Sequence, residues 1–231
     1  MQYPIIRNTG SRQMDMQACP LGSLPAGIKR KTAGEEIMYY EAKDFVDTES
    51  EEKLRWIVRA RELTRAYACC DWQDNQRKEE ILRELLGRMG EQVAVDIPFH
   101  CNYGKNIFVG DQVIINMNCT FVDDAPILIG NRVLIASNVQ IYTASHPTAV
   151  RERLIREHDA GGGPFFRTYA RPVEIQDDVW IGGGCILLPG VTVGKGSVIG
   201  AGSVVTRSIP ENCVAVGNPC RVIRRIEEDP S

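Results

Sequence analysis

Aliphatic residues recur at every sixth position along residues 173–207, the most regular stretch of the chain. The repeated positions are Ile175, Ile181, Leu187, Val193, Ile199 and Val205. A second series of small or aliphatic residues follows four positions later: Val179, Cys185, Val191, Ser197 and Ser203. A period of six matches neither the 3.6 residues of a helical turn nor the alternation of an ordinary strand. It predicts a parallel β-helix built from hexapeptide repeats.

The same period predicts earlier coils of the β-helix. It begins at about Ile97, shifts by two residues near Ala125-Pro126 and continues on both sides of that shift through Tyr103, Val109, Ile115, Phe121, Ile129, Ile135 and Ile141. Three hexapeptides make one coil of a triangular prism, with Gly and Asn at the corners. Burial of each inward aliphatic residue is worth about 1.5–3 kcal/mol, so about fifteen of them supply the core. We therefore assign residues 93–226 to an all-β core domain.

The period is lost at residues 147–172, which form a long insertion in the repeat. A loop of this length inside a compact repeat is uncommon and usually functional. A glycine-rich run at residues 161–163 predicts a flexible reach, which leaves open whether the loop closes over a site. The aromatic residues Phe165, Phe166 and Tyr169 predict a tip that packs or contacts a ligand.

The residues before the repeat read as an arm and a helical cap. Residues 1–32 lack periodicity and predict a mobile arm. Residues 33–92 predict two helices, the first capped by Thr48 or Ser50. Their apolar positions are Leu54, Ile57, Val58 and Leu63 in the first helix, and Ile81, Leu82, Leu85, Leu86 and Met89 in the second. Two such helices make a hairpin that must pack on something, such as one end of the β-helix.

Composition limits the class of protein. The 231 residues are 43% hydrophobic and 25% charged, with a formal net charge of −3. This predicts a globular protein without general affinity for nucleic acid. No apolar run is long enough for a bilayer, and the N-terminus lacks the pattern of a secretory signal, which favours the cytoplasm. The eight cysteines contain no C-x-x-C pair, so we expect reduced thiols, with Cys101, Cys119 and Cys185 packed inward.

His146 is the main candidate for chemistry, because it stands in YTASHP where the repeat gives way to the insertion. Imidazole can accept a proton from a hydroxyl near neutral pH, and Pro147 helps to fix the local backbone. From spacing alone, a general base and an ordinary exposed or packed histidine are both open. A zinc site would need His100 and His158 as well, and these lie far from His146 in the chain.

Other candidates have equally open interpretations. Asp123 and Asp124, beside the frame shift, can bind a polyol or satisfy turn amides, and Asn116 is judged similarly. The glycines at 182–184 expose amides that could hold an oxyanion, although corners of this fold need glycine anyway. The arginines at 207, 221, 224 and 225 form a basic cluster suited to phosphate or to solvent.

Five segments together resemble the hexapeptide-repeat sugar O-acetyltransferases, the maltose and galactoside acetyltransferases, with the nodulation acetyltransferases nearby. They are AGEEIMYY, FHCNYGKNIFVG, NMNCTFVDDAPILIGNRVLIASNVQIYTASHP, RPVEIQDDVWIGGGCILLPGVTVGKGSVIGAGSVVTRSIP and VAVGNPCRVI. The resemblance covers residues 33–226, and the combination of YTASHP, VWIGGG and GNPCRVI is its most specific part.

The resemblance implies a left-handed parallel β-helix, a homotrimer with active sites between subunits, and acetyl-CoA as co-substrate without a metal. His146 matches the catalytic base. Asn116, Asp124 and Asn102 match positions that contact the acceptor. The positions that match the acetyl-CoA site are Trp180, Gly183, Ala201, Thr206, Arg207, Arg221 and Arg224. The implied reaction is acetyl transfer to a sugar hydroxyl by general-base catalysis in a ternary complex.

Two departures from the family pattern concern the acceptor. Tyr39 or Tyr40 stands where the galactoside enzymes carry a substrate-binding Asp, and the insertion after His146 is longer. An acetyltransferase acting on an antibiotic or other xenobiotic hydroxyl is therefore the alternative. A metalloprotein similar to γ-carbonic anhydrase and an inactive solenoid subunit are further alternatives, although a purely structural coil needs neither His146 nor Trp180.

Overall fold

The computed structural model describes residues 45, 46, 48, 50–155 and 164–227. This part of the chain winds through about six turns of a parallel β-helix, with one short strand on each face of a turn. The all-β core predicted from the period of six is confirmed. The arm predicted at residues 1–32 lies outside the described residues, as do Tyr39, Tyr40, His158 and the glycines at 161–163.

Three parallel sheets form the faces of the prism. Sheet 1 contains β1 (Arg88–Met89), β4 (Ile107–Val109), β7 (Ile127–Ile129), β12 (Val173–Ile175) and β15 (Thr192–Val193). Sheet 2 contains β2 (Ala94–Val95), β5 (Ile114–Ile115), β8 (Leu134–Ile135), β13 (Trp180–Ile181), β16 (Val198–Ile199) and β18 (Cys213–Val216). Sheet 3 contains β3 (Phe99–Cys101), β6 (Cys119–Val122), β9 (Gln140–Tyr142), β14 (Ile186–Leu187) and β17 (Val204–Val205).

Each corner of the prism is named here after the two sheets that it joins. The 2–3 edge comprises residues 96–98, 116–118, 136–139, 182–185 and 200–203. The 3–1 edge comprises residues 102–106, 123–126, 143–172, 188–191 and 206–208, and therefore includes the long insertion. A last strand, β19 (Arg221–Arg225), pairs antiparallel with β18 and extends sheet 2.

The core is a set of columns in which one aliphatic residue stacks on its counterpart in the next coil. On sheet 2 the column is Ile115, Ile135, Ile181 and Ile199, each at most 1% exposed. Every such side chain contributes about 1.5–3 kcal/mol of transfer free energy. Because the columns run the length of the prism, the corners that carry polar residues are held in a fixed register.

The corners repeat one left-handed residue in each coil. At the 2–3 edge this position is Asn118, Asn138, Gly184 and Gly202, with φ between 62° and 72°. At the corner between sheets 1 and 2 it is Gln92, Gln112, Arg132, Asp178, Gly196 and Asn212. The predicted use of Gly and Asn at corners is correct for the 2–3 edge, whereas the other corner also accepts longer side chains.

The structure corrects the predicted phase of the first coil. Val95 and Cys101 hold the core positions that the pattern assigned to Ile97 and Tyr103. The steps from β1 to β4 and from β4 to β7 are 20 residues long, whereas the step from β12 to β15 is 18 residues. Both extra pairs lie on the 3–1 edge, so the shift that the sequence predicted once occurs in two successive coils.

Two antiparallel helices precede the β-helix and pack on its first coil. They are α1 (Glu51–Ala68) and α2 (Asn75–Leu85), and the carboxylate of Asp74 caps α2 by accepting from the amide of Arg77. The apolar face predicted for α2 is correct, with Ile81 and Leu85 each 1% exposed. None of the described helices combines the length and the apolar composition that crossing a membrane requires.

The apolar face predicted for α1 is partly wrong. Leu54 and Val58 are 48% and 58% exposed, whereas Ala60, Leu63 and Tyr67 are buried. The hydroxyl of Tyr67 donates to a backbone carbonyl of β2, which turns this side of the helix towards the first coil. The polar anchor, rather than the count of aliphatic residues, therefore decides which face is covered.

Candidate active site

The predicted site residues lie mainly on two different edges of the β-helix. Five are on the 3–1 edge: Asn102, Asp124, His146, Thr206 and Arg207. Three are on the 2–3 edge: Asn116, Gly183 and Ala201. Neighbouring edges are one hexapeptide apart, which is about 15–20 Å at about 3.3 Å per residue. One copy of the chain therefore does not bring His146 and Gly183 together.

The imidazole of His146 is held in one tautomer by the backbone. Its Nδ1 lies 2.9 Å from the carbonyl oxygen of Arg167. Because a carbonyl oxygen only accepts hydrogen bonds, Nδ1 carries the proton and Nε2 keeps its lone pair. The side chain is exposed. The arrangement therefore presents Nε2 as a proton acceptor at the surface of the 3–1 edge.

The backbone around His146 is fixed by two further side chains. The buried hydroxyl of Tyr169 donates to the carbonyl oxygen of His146 over 2.8 Å. The guanidinium of Arg153 donates to the carbonyl oxygens of Pro147 and Thr148, both at 3.1 Å. These bonds, with the buried ring of Pro147, supply the local rigidity that the sequence predicted from the proline alone.

The described part of the insertion folds back on itself. It contains α3 (Val150–Arg153), and its two ends pair antiparallel as β10 (Ala144–Ser145) and β11 (Tyr169–Ala170). Nearer the tip, the amide of Ile155 donates to the carbonyl of Phe165 over 3.0 Å. The base of the insertion is therefore an ordered antiparallel pair that can carry groups to the site.

The three aromatic residues of the insertion have different roles. Phe166 is 49% exposed, and its ring centroid lies 6.2 Å from that of His146. Phe165 is also exposed. Tyr169 is buried beneath His146, so the prediction that it belongs to the tip is wrong: its hydroxyl is used by the backbone at the base.

Asn102 and Asp124 form one polar cluster with two aromatic residues. The side-chain amide of Asn102 donates to a carboxylate oxygen of Asp124 over 3.1 Å, and the hydroxyl of Tyr103 donates to the other oxygen over 3.2 Å. The ring of Trp56, on α1, meets the ring of Tyr103 edge to face at 6.3 Å. Helix α1 thus reaches the same corner as the predicted acceptor residues.

Asp123 is a structural carboxylate, unlike its neighbour Asp124. It is completely buried, and one oxygen accepts from the amides of Asn102 and Tyr103 at 3.0 Å and 2.9 Å. Burial raises the pKa of Asp123 to about 6, and the hydrogen bonds from backbone amides offset this only in part. Of the two interpretations of this pair, amide satisfaction in a turn is thus the one that applies to Asp123.

Asp123 should make folding stability depend on pH. Because its pKa is higher in the folded chain, its contribution is greatest below about pH 4 and falls as the pH rises through about 6. The free energy of unfolding of the wild type should fall by about 3 kcal/mol over that range, relative to Asp123→Asn, which does not titrate. Denaturant titrations of both proteins at each pH measure this difference. A difference that stays constant, or a wild type that gains stability as the pH rises, would contradict the assignment.

The 2–3 edge presents backbone groups more than side chains. The amide of Gly183 donates to none of the described residues, whereas its carbonyl accepts from the amide of Gly202 over 2.9 Å. Ala201 is exposed at the equivalent position of the next coil. The side-chain amide of Asn116 donates to the carbonyl of Ile135 over 2.9 Å. An exposed amide beside a small side chain is a suitable place for an oxyanion or a ligand carbonyl.

The other positions that match the acetyl-CoA site surround this edge. Trp180 lies on the outer face of sheet 2 and is 50% exposed. Arg221 and Arg224 are exposed on β19, which extends the same sheet. Arg207 is exposed on the 3–1 edge, one hexapeptide after Ala201. The structure therefore places the predicted basic residues at the C-terminal end of the prism but not in one contiguous contact.

Cysteine and metal chemistry have little support in the described chain. Its seven cysteines are free thiols, and burial raises the pKa of Cys119 to about 11 and that of Cys185 above its usual range. Buried thiols of this kind are poor nucleophiles. Across the described ranges, no three His, Cys, Asp or Glu side chains come close enough to hold a metal ion.

Sequence reasoning missed the residues that support the site. Tyr103 and Trp56 gave no periodic signal, and Arg153 read as one charge among several in the insertion. Their contacts join segments that are distant in the sequence, so spacing alone could not reveal them. A buried aromatic hydroxyl that needs a partner was the one available signal for Tyr169.

The comparisons with known proteins agree with this geometry. The family model of the bacterial transferase hexapeptide (six repeats) matches residues 172–207. A galactoside O-acetyltransferase of Lactococcus lactis is 42% identical over 154 residues, which cover 66% of this chain and 70% of that protein. The crystal structure of a maltose O-acetyltransferase from Clostridium difficile is 44% identical, with a TM-score of 0.73, and the match covers 80% of this chain and 93% of that one.

A third relative was solved with a ligand. The hexapeptide-repeat acetyltransferase of Vibrio cholerae, complexed with acetyl coenzyme A, is 37% identical with a TM-score of 0.71. That match covers 79% of this chain and 93% of that one. The resemblance seen in the sequence and the prediction of an acyltransferase are both confirmed: the chain belongs to the hexapeptide-repeat acetyltransferases, the family that includes the galactoside and maltose O-acetyltransferases.

Proposed function

We propose that this protein transfers an acetyl group from acetyl-CoA to a hydroxyl of a sugar, with His146 as general base. The observation that carries the proposal is the 2.9 Å contact between Nδ1 of His146 and the carbonyl of Arg167. It leaves Nε2 unprotonated and exposed, as a base for a hydroxyl must be. A maltose-, glucose- or galactoside-like acceptor follows from the named activities of the relatives.

The donor site lies along the 2–3 edge in this proposal. The acetyl-CoA complex of the Vibrio cholerae relative supports the same donor here. The exposed amide of Gly183 faces the thioester, and small Ala201 leaves room for the pantetheine arm. Trp180 lines the channel. The nucleotide phosphates are bound by Thr206, Arg207, Arg221 and Arg224, because guanidinium groups match phosphate geometry.

The acceptor binds at the polar cluster of the 3–1 edge. Asn102 and Asp124 offer an amide and a carboxylate within 3.1 Å of each other, a combination that can bind adjacent sugar hydroxyls. Asn116 of a neighbouring copy completes the pocket. The exposed rings of Phe165 and Phe166 favour one second candidate, an acceptor such as an antibiotic that presents an apolar face beside its hydroxyl.

The enzyme works as a homotrimer with each site between two copies. Two observations support this. The groups proposed for the base and for the oxyanion lie on different edges of one chain. The outer face of sheet 2 also carries an apolar ladder, formed by Ile114, Leu134, Trp180 and Val198, which needs a cover. A cyclic trimer closes such head-to-tail contacts without leaving a free surface.

The reaction proceeds by direct transfer. Nε2 of His146 takes the proton of the acceptor hydroxyl as its oxygen attacks the thioester carbonyl. The amide of Gly183 from the adjacent copy holds the tetrahedral oxyanion. The carbon–sulfur bond then breaks, and the protonated imidazole returns its proton to the leaving thiolate. Because free thiols persist under reducing conditions, we place the enzyme in the cytoplasm.

A thiol-release assay tests the proposal. Acetyl-CoA is incubated with the protein and a panel of maltose, glucose, galactosides and hydroxyl-bearing antibiotics, and products are identified by mass spectrometry. We expect one acetylated acceptor per CoA released, with sugars preferred. Release of CoA only with antibiotics would select the second candidate. Absence of acceptor-dependent release across both groups would contradict the proposed reaction.

A further inference from the structure

A short segment before α1 contacts the strand that fixes His146. The amide of Val46 donates to the carbonyl of Thr168 over 2.8 Å, which makes an antiparallel bridge between the two residues. The preceding side chain, the ring of Phe45, lies under the guanidinium carbon of Arg167 at 5.6 Å. Two consecutive residues of the segment thus grip two consecutive residues of the insertion.

The two faces of the gripped strand have different partners. The amide and the carbonyl of Arg167 point to one side, where they meet the carbonyl of Arg153 at 2.8 Å and Nδ1 of His146 at 2.9 Å. The carbonyl of Thr168 points to the other side, towards Val46. The strand is therefore held from both edges, and the segment closes the edge opposite the imidazole.

This contact decides how firmly the imidazole is oriented. The carbonyl of Arg167 keeps the proton on Nδ1 only while it stays in line with the ring. The bridge to Val46 and the cation–π contact with Phe45 are the restraints on that peptide from the far side, at about 0.5–1 kcal/mol for an exposed cation–π pair. The guanidinium of Arg167 adds a bond of 3.0 Å to the carbonyl of Glu152.

We propose that Phe45 and Val46 are positioning residues for the acetyl transfer, acting through the Arg167 carbonyl on the tautomer of His146. The inference rests on the proposed function, since it presumes that His146 is the base. It assigns a role in the chemistry to a segment that lies outside the β-helix and outside the two helices. Neither residue touches the reacting atoms.

Two substitutions test this inference. Phe45→Ala removes the ring, and Val46→Pro removes the amide that donates to Thr168. We expect both to lower kcat by about 5–30-fold while the KM for acetyl-CoA stays within about twofold. Phe45→Trp restores a ring over Arg167 and should restore kcat. Trp72→Ala, which removes an exposed aromatic residue between α1 and α2, is the matched control and should behave as wild type.

A spectroscopic readout separates positioning from general destabilisation. The chain has only three histidines, so the long-range ¹H–¹⁵N spectrum of the full-length protein can be assigned with His146→Ala as reference. His146 of the wild type should show the Nδ1-protonated tautomer, and Phe45→Ala and Val46→Pro should show a mixture. Wild-type kcat and tautomer in both variants would overturn the inference, as would failure of Phe45→Trp to restore a loss. Those results would leave the proposed function standing, whereas it falls only if His146→Ala itself retains turnover.

Discussion

Replacing His146 with Ala is expected to lower kcat by about 10²–10⁴-fold, the range in which general-base catalysis contributes. The KM for acetyl-CoA should change little, because the donor positions lie mainly on the other edge. The folded structure should persist, since the imidazole is exposed and only its bond to the carbonyl of Arg167 is lost. Steady-state thiol release with the best acceptor measures both constants.

His100→Ala is the matched control for this substitution. His100 is also exposed, and it lies on sheet 3, the face that leads to the same edge. It should retain wild-type kcat. Near-normal turnover by His146→Ala would remove the base from the mechanism, and an equal loss in His100→Ala would show that the effect is not specific to the insertion.

Replacing Ala201 with Trp is expected to block the donor rather than the base. The residue is exposed on the 2–3 edge, so a larger side chain is accommodated outside the core and occupies the proposed path of the pantetheine arm. The KM for acetyl-CoA should rise by about 10–100-fold, equivalent to about 1.4–2.7 kcal/mol of binding free energy. Isothermal titration with CoA provides an independent measurement of the same change.

The control for Ala201→Trp is a residue of the same coil on a different corner. Lys195 is exposed at the edge between sheets 1 and 2, where none of the proposed site residues lies. Lys195→Trp adds the same ring and should leave the KM for acetyl-CoA unchanged. If the two variants bind CoA equally well, the donor does not use the 2–3 edge.

The core was predictable because one physical requirement repeats along the chain. Every coil must fill its interior with an aliphatic residue at each face, so the period of six identifies Ile135, Ile181 and Ile199 without any knowledge of the structure. The phase failed at the first coil because the two added residues fall on an irregular corner. There Tyr103 is buried for its corner contacts instead of a place in a strand, and an apolar residue at that spacing looks like a core position.

The site was predictable residue by residue but not as an assembly. His146 and Gly183 were identified by their local motifs, yet the edge on which each lies depends on the residue count of every coil between them. Tyr169 was assigned to the tip because exposure and burial of an aromatic residue in an insertion give the same sequence pattern. Its role became apparent only from the 2.8 Å bond to the carbonyl of His146.

The central claim, that His146 of one copy acts with the 2–3 edge of another, is tested most directly by mixing two inactive variants. His146→Ala and Ala201→Trp damage different edges, so co-refolded or co-expressed mixtures should contain sites with both edges intact. In a random cyclic trimer about one quarter of the sites combine the two undamaged edges, and activity per site should recover to about that fraction of wild type. Activity that stays at the mean of the two parent variants would contradict a shared site.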